Sequence, residues 1–155
     1  MPILYTVGHG LLPIDALVAN LSRHEVEAVI DVRSQPFSGR APQFNRENLS
    51  SELEAAGITY IWMGQTLGGR PPERLRTPAG APDYELMARE PATVAALDKV
   101  VEAATRRRIA LLCSEARPEG CHRTRMLEPE LEERGAAVQH ILPDGNLASQ
   151  PTLFV

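Results

Sequence analysis

The chain has 155 residues, a formal net charge of −4 and two cysteines. This length fits one domain with a substantial hydrophobic core, and we expect a single domain over residues 1–155. The acidic balance argues against a general nucleic-acid binder, which normally carries a large excess of basic residues, but it does not exclude local basic patches.

The first residues, MPILYTVGHG, lack the charged start and long apolar core of a signal peptide. No apolar run approaches the roughly 18 residues that a membrane span requires. We therefore expect a cytoplasmic protein with no membrane partner, in which both cysteines are free thiols.

The first half of the chain alternates short apolar runs with segments of helical spacing. A strand is predicted over residues 2–7, followed by a helix over 13–24. A second strand over 26–32 leads to a helix over 45–57, which begins at a capping asparagine and stops at a glycine. A third strand is predicted over 59–63.

The second half of the chain opens with residues 64–84, which are rich in glycine and proline and predict a long irregular loop. The remaining predictions, in chain order, are a helix over 91–107, a strand over 109–113, a helix over 122–134, a strand over 137–142 and a surface tail over 143–155. The strand IALLC is almost wholly apolar, which is typical of the centre of a parallel sheet.

Strands that alternate with helices predict an α/β fold with a mainly parallel, five-stranded sheet and right-handed crossovers. We expect the strand order third-second-first-fourth-fifth. The segments that follow parallel strands meet at one edge of the sheet, where open α/β sheets bind ligands. The candidate site is therefore expected at the carboxyl edge of the strands.

The segments that follow the predicted strands hold most of the chemically reactive side chains, although the strand prediction used none of those residue types. Their polar and thiol residues are His9, Asp31, Arg33, Ser34, Arg40, Gln43, Asn45, Arg70, Cys113, Glu115, Cys121, His122 and Arg123. This convergence is the main indication of a functional site.

Several of these segments together, YTVGHG, IDVRSQPFSGRAPQFN, GITYIWMGQTLGGR, LLCSEARPEGCHR and VQHI, resemble the DUF488 family of small bacterial and archaeal proteins without an agreed function. The resemblance covers most of the chain in the family's order. It implies a shared fold and site but no particular reaction. The matching positions are Gly8, His9, Asp31, Arg33, Pro36, Gln43, Phe44, Asn45, Leu67, Gly68, Gly69, Arg70, Cys113, Glu115, Cys121, His122 and Arg123.

The chain departs from the family pattern at two places. Gly10 stands where many members have a serine, and the spacing between Ser38 and Arg40 includes an extra residue. These departures bear on any role that needs a hydroxyl at position 10 or a fixed position for Arg40.

Cys113 ends a predicted central strand and is our candidate nucleophile. The following helix N-terminus, together with His122 and Arg123, is expected to lower the pKa of its thiol, whereas Glu115 opposes this effect. The alternative is a small buried residue that closes the strand. Cys121 is a resolving thiol, a second site thiol or a packing residue, and His122 is an anion-binding side chain or a proton carrier.

The pair Asp31 and Arg33 lies two residues apart at a strand end, so both side chains share one face. Asp31 is a candidate proton acceptor, with a buried ion pair or helix cap as the alternative. The backbone at Gly68 and Gly69 can approach a ligand, and Arg70 offers a planar guanidinium for phosphate or carboxylate. The further candidate ligand-binding residues are His9, Ser34, Arg40, Gln43 and Asn45, with Gly8 in support.

These residues predict an enzyme for a small anionic molecule, such as phosphate, a nucleotide or a nucleic-acid end, with Cys113, His122 and Asp31 as catalytic residues. No cofactor is expected, and the cysteine spacing does not match a zinc site. Rhodanese-like sulfur or phosphoryl transfer is an alternative, although Glu119 stands where the arginine of such a cradle belongs. Further alternatives are a non-catalytic nucleotide- or protein-binding module and a Cys113–Cys121 redox switch.

Overall fold

The parallel sheet positions the site. The computed structural model describes residues 1–148. Its parallel strands are β1 (Ile3–Gly8), β2 (Ala28–Asp31), β3 (Thr59–Trp62), β4 (Ile109–Cys113) and β5 (Ala137–Ile141). The predicted α/β fold with a parallel, five-stranded sheet is therefore confirmed.

The order of the strands differs from the expected one. The observed order is β3-β2-β4-β1-β5, so the prediction third-second-first-fourth-fifth is wrong. Ile109 of β4 pairs with Ala28 of β2 on one side and with Leu4 of β1 on the other. Both β1 and β4 are buried over nearly their whole length. Apolar character therefore predicts two interior strands without indicating which of them lies beside β2.

Helices cover both faces of this sheet. In the described part of the chain they are α1 (Ile14–Arg23), α2 (Arg46–Ala55), α3 (Gly64–Leu67), α4 (Tyr84–Arg89), α5 (Pro91–Ala104) and α6 (Glu128–Glu133), with 3-10 turns at Pro42–Phe44 and Glu73–Leu75 and a π-helical segment at Arg123–Leu127.

The predicted loop over 64–84 is partly helical, which corrects the sequence prediction. It contains α3 and a 3-10 turn, and it ends at the start of α4. The carboxylate of Asp83 caps α4 by accepting the N–H of Leu86 at 3.1 Å. The hydroxyl of Thr93 on α5 donates to the carbonyl of Thr66 on α3 at 2.8 Å. These tertiary contacts hold helices that are too short to be stable alone.

Two predicted helix boundaries also change. The helix predicted over 91–107 ends at Ala104. The helix predicted over 122–134 begins with the π-helical segment and continues as α6 to Glu133. This π-helical segment is only five residues long, which is too short to change an apolar period that is read over several turns, so the sequence pattern alone does not reveal it.

The core consists of two apolar layers on opposite faces of the sheet. Along β4, Leu111 and Cys113 face the layer that includes α5 and α6, whereas Ala110 and Leu112 face the layer that includes α1 and α2. This alternation follows from the two-residue period of a strand. It directs the Cys113 side chain toward a packed helical layer at the point where the strand ends.

The chain after β4 lies directly against the end of β1. The N–H of His9 donates to the carbonyl of Cys113 at 3.0 Å. A Cβ atom on Gly8 would lie 1.5 Å from the carbonyl oxygen of Glu115. Any larger residue at position 8 would clash with the backbone of Glu115, so glycine is required for the segment after Cys113 to lie against the end of β1.

The last described residues turn back beside β5, where the N–H of Ala148 donates to the carbonyl of His140 at 2.8 Å. The predicted tail over 143–155 is thus described up to residue 148, and residues 149–155 lie outside the described chain. Within residues 1–148, none of the helices has both the length and the apolar character needed to cross a bilayer.

Candidate functional site

A cleft of about 460 Å³ opens where β2 and β4 end. Its walls are formed by the segments 33–40, 69–70 and 113–122, and by Tyr84 at the start of α4. The lining residues are Arg33, Ser34, Gln35, Phe37, Ser38, Arg40, Gly69, Arg70, Tyr84, Cys113, Ser114, Glu115, Gly120, Cys121 and His122.

The cleft unites residues that are distant in the sequence. The predicted site residues that line it are Arg33, Ser34, Arg40, Gly69, Arg70, Cys113, Glu115, Cys121 and His122. Those that do not line it are Gly8, His9, Asp31, Gln43, Asn45, Gly68 and Arg123. Sequence reasoning missed Tyr84 because α4 was not predicted. It also missed Gln35, Phe37 and Ser38, although their place within IDVRSQPFSGRAPQFN was an available signal.

The two cysteines form a close pair on one wall of the cleft. Their Sγ atoms are 3.6 Å apart, and both thiols are free. Cys113 is 2% exposed and Cys121 is 5% exposed. The Sγ atom of Cys113 also lies 3.7 Å from the carbonyl oxygen of Glu115. The pair therefore joins the end of β4 to the start of the π-helical segment.

His122 lies beside the Cys121 sulfur and is oriented by α3. Its Nε2 atom is 3.1 Å from the carbonyl oxygen of Leu67, and because a carbonyl can only accept, Nε2 carries a proton. Its Nδ1 atom is 3.8 Å from the Sγ atom of Cys121. A Cβ atom on Gly69 would lie 2.9 Å from the His122 ring, so glycine makes room for the imidazole.

The surroundings of the two thiols shift their pKa values in opposite directions. A hydrogen bond from the Cys113 thiol lowers the pKa of Cys121, and hydrogen bonds from His122 and from the backbone N–H of Arg123 lower it further, although burial opposes this shift. The hydrogen bond to Cys121 and burial raise the pKa of Cys113, which the charge of Arg123 only partly offsets. The shift of the Cys113 pKa is therefore opposite to the expected one, because the hydrogen bond with Cys121 and burial outweigh the charge of Arg123.

Arg123 lies beneath this wall and is 1% exposed. Its Nη1 atom donates to the Thr6 hydroxyl at 3.2 Å, and its Nη2 atom donates to the carbonyls of Glu115 at 3.0 Å and Ala116 at 3.3 Å. Its Nε atom has no hydrogen-bond partner among the described residues. Arg123 thus holds the segment after β4 in place. It has no carboxylate partner within residues 1–148.

Asp31 and Arg33 form a buried ion pair behind the cleft. Arg33 donates from Nε to Oδ1 of Asp31 at 2.9 Å and from Nη2 to Oδ2 at 2.8 Å. Oδ1 also accepts the backbone N–H of Arg33 at 3.1 Å, and Oδ2 accepts the hydroxyl of Tyr60 at 2.5 Å. Burial, and then the hydrogen bond to Asp31, raise the pKa of Tyr60. This arrangement favours the ion-pair interpretation of Asp31 over a proton acceptor facing a ligand.

His9 completes the buried network instead of lining the cleft. Its Nδ1 atom donates to the carbonyl of Gly10 at 2.8 Å, so Nε2 can accept from Nη1 of Arg33 at 3.3 Å. The ring stacks on Phe44 with centroids 4.5 Å apart. Burial lowers the pKa of His9, which favours the neutral ring that this hydrogen-bond pattern requires.

Two exposed arginines on the rim of the cleft are available to a ligand. The side chain of Arg40 donates no hydrogen bond within residues 1–148. Arg70 donates from Nη1 to the side-chain oxygen of Gln35 at 3.1 Å, and its backbone N–H donates to Oγ of Ser34 at 3.0 Å. Among the lining residues, Glu115 is the only carboxylate. The cleft therefore has a positive rim in a chain of net charge −4.

Two predicted ligand-binding residues support the loop after β2. The side-chain amide of Gln43 donates to the carbonyl of Leu12 at 2.9 Å. The side-chain oxygen of Asn45 accepts the backbone N–H of Ser38 at 2.7 Å. Both side chains thus shape the loop that carries Arg40. Within residues 1–148, no three histidine, cysteine, aspartate or glutamate side chains lie together as metal ligands.

The family model described as "Domain of unknown function DUF488" matches residues 13–128. This span runs from α1 to the start of α6 and includes both cysteines and all the arginines of the cleft. No curated protein and no solved structure matches the chain. The chain therefore belongs to the DUF488 family.

Proposed function

We propose that the protein is an enzyme that binds a small anionic substrate in the cleft and attacks it with the thiolate of Cys121. The observation that carries the proposal is the presence of a hydrogen-bonded thiol pair and two exposed arginines on the same 460 Å³ cleft. A cavity of this size is in the range of small-molecule sites.

Cys121 is a better candidate nucleophile than Cys113. Its sulfur is 3.6 Å from the Cys113 sulfur and 3.8 Å from Nδ1 of His122. Each of these groups stabilises a thiolate, which is the reactive form of cysteine. Once Cys121 has lost its proton, the single proton of the Cys113 thiol can turn from the Glu115 carbonyl to the Cys121 sulfur, and the His122 ring lies beside that sulfur.

Arg40 and Arg70 supply the binding energy for an anion. A guanidinium offers a planar set of donors that matches phosphate and carboxylate oxygens. Arg33 also lines the cleft, but its charge is already compensated by Asp31. Phosphate, a nucleotide and a nucleic-acid end share the anionic chemistry that such a rim selects.

The proposal is tested by comparing two alkylating reagents, anionic iodoacetate and neutral iodoacetamide, on the native protein with peptide mass spectrometry. Cys121 should react faster than Cys113 with both reagents. In the double variant Arg40→Gln/Arg70→Gln, the ratio of the iodoacetate rate to the iodoacetamide rate at Cys121 should fall by roughly threefold or more, since each exposed charge pair contributes up to about 1 kcal/mol. Inorganic phosphate should slow the reaction with iodoacetate.

Arg106→Gln is the matched control, because this arginine is exposed on the segment after α5, away from the lining residues, and pairs with Glu102 on the surface. It should leave the ratio unchanged. An equal ratio in all three proteins would contradict anion binding at the rim. A Cys121 that stays unlabelled until the protein unfolds would contradict the nucleophile and favour a non-catalytic binding module.

A further inference from the structure

We propose that Cys121 and Cys113 act as a dithiol pair that reduces a small disulfide carrying carboxylate or other anionic groups. The inference rests on the proposed function for the positive, anion-binding rim and the Cys121 nucleophile, and it adds the substrate class and a second thiol with a chemical step. It starts from the 3.6 Å separation of the two sulfurs, which is van der Waals contact.

A disulfide bond is about 2.05 Å long, so the two sulfurs must approach each other by roughly 1.5 Å to form one. The backbone around Cys113 is already fixed by its pairing with β1 and by the close approach at Gly8. Both cysteines line the cleft, but Cys121 precedes the π-helical segment instead of ending a strand, and at 5% exposure against 2% it is the less buried of the two. Cys121 is therefore the thiol that meets the substrate, and Cys113 is the thiol that resolves the intermediate.

The reaction consists of two thiol–disulfide exchanges. The Cys121 thiolate attacks one sulfur of the substrate R–S–S–R, so that a Cys121–S–S–R bond forms and RS⁻ leaves. Cys113 then attacks the Cys121 sulfur, its proton passes to the second departing RS⁻, and the Cys113–Cys121 disulfide forms. The substrate disulfide gains two electrons and the two cysteines lose them. A dithiol reductant such as dithiothreitol reduces the Cys113–Cys121 disulfide by two further thiol–disulfide exchanges and is itself oxidised to a cyclic disulfide.

Arg123 is suited to assist the second exchange. It is buried beneath the pair, and the carbonyl of Glu115 that accepts from its Nη2 atom also lies 3.7 Å from the Cys113 sulfur. Its positive charge favours the thiolate form of Cys113, in which this residue attacks. A buried guanidinium without a carboxylate partner is otherwise costly. Arg123 is therefore a positioning residue for the exchange and does not contact substrate.

The experiment uses three small disulfides that differ in charge: dithiodiglycolate, which is dianionic, bis(2-hydroxyethyl) disulfide, which is neutral, and cystamine, which is dicationic. The reduced protein is mixed with each, quenched with acid and weighed by mass spectrometry. The wild type should lose two hydrogens, fastest with dithiodiglycolate, and retain no adduct. Cys113→Ser and Cys113→Ala should instead accumulate one adduct on Cys121, and Cys121→Ser should react at least tenfold more slowly.

The outcomes separate this inference from the proposed function. If wild-type Cys121 keeps a stable adduct and no Cys113–Cys121 disulfide forms, the dithiol step is overturned while the anion-binding nucleophile stands. If the internal disulfide forms at the same rate with all three reagents, the anionic substrate class is overturned. If Arg40→Gln/Arg70→Gln leaves the preference for dithiodiglycolate intact, the two arginines are not its source, and the binding role given to them in the proposed function is overturned. If the Cys113 variants show no adduct although they are folded by circular dichroism, Cys121 is not the attacking thiol.

Discussion

The two buried arginines of the site, Arg33 and Arg123, have opposite surroundings. The side chain of Arg33 is 3% exposed and binds both oxygens of Asp31, whereas Arg123 is 1% exposed and binds a hydroxyl and two carbonyls. A buried charge normally requires a paired opposite charge. Arg33 therefore completes a structural ion pair, whereas Arg123 places a positive charge beside the two thiols. The negative charge that suits this field is a thiolate.

The largest expected effect concerns the ion pair at Arg33. Asp31→Asn removes one partner of a buried pair and leaves the guanidinium uncompensated, so the free energy of unfolding should fall by about 3–5 kcal/mol. Urea denaturation followed by Trp62 fluorescence measures the change. Asp98→Asn is the matched control, because its salt bridge to Arg134 is on the surface and should be worth at most about 1 kcal/mol. A similar loss of unfolding free energy in both variants would contradict the claim that the buried ion pair is worth more than the surface one.

A smaller loss of stability is expected at the second arginine. Arg123→Met removes hydrogen bonds to Thr6 and to two backbone carbonyls, but it also removes a buried charge with no carboxylate partner, and we expect a loss of about 1–2 kcal/mol. The same variant should raise the pKa of Cys113 and slow the closure of the Cys113–Cys121 disulfide. If Arg123→Met costs as much stability as Asp31→Asn and leaves disulfide closure unchanged, the two arginines do not differ in the way described.

The sequence predicted the parallel sheet and the segments that build the cleft, because strand and helix periods and the topology of parallel strands are local or general properties. It did not predict that β4 lies beside β2, since both β1 and β4 are strands of the sheet interior and burial does not fix their order. The sequence also predicts Cys113 as the reactive thiol, whereas the alternation of Ile109, Leu111 and Cys113 along β4 places that side chain against a packed helical layer.

The polar residues of the site were harder to assign, because each can serve the chain or a ligand. Asp31, His9, Gln43 and Asn45 satisfy partners within the protein, whereas Arg40 and Arg70 remain on the rim. The type of a polar residue does not show whether it binds a ligand or another part of the protein. This depends on which backbone and side-chain groups the fold brings within hydrogen-bond distance.

The smallest expected effect concerns the rim and not the buried arginines. Glu115→Gln removes the only carboxylate that lines the cleft within residues 1–148, and its side chain is not needed for the backbone carbonyl that Arg123 binds. The ratio of the iodoacetate rate to the iodoacetamide rate at Cys121 should rise by about threefold, with stability unchanged within about 0.5 kcal/mol. A fall in the ratio would contradict an electrostatic preference for anions.

The most direct test of the central claim, that Cys121 is the thiolate and Cys113 its buried partner, is the pH dependence of iodoacetamide labelling at each cysteine of the native protein. Labelling from about pH 5 to about pH 9 brackets the neutral range in which ordinary thiols are mostly protonated. We predict that Cys121 reaches half its maximal rate well below the ordinary thiol pKa and that Cys113 labels slowly throughout. Faster labelling of Cys113, or resistance of both cysteines until the protein unfolds, would contradict the account.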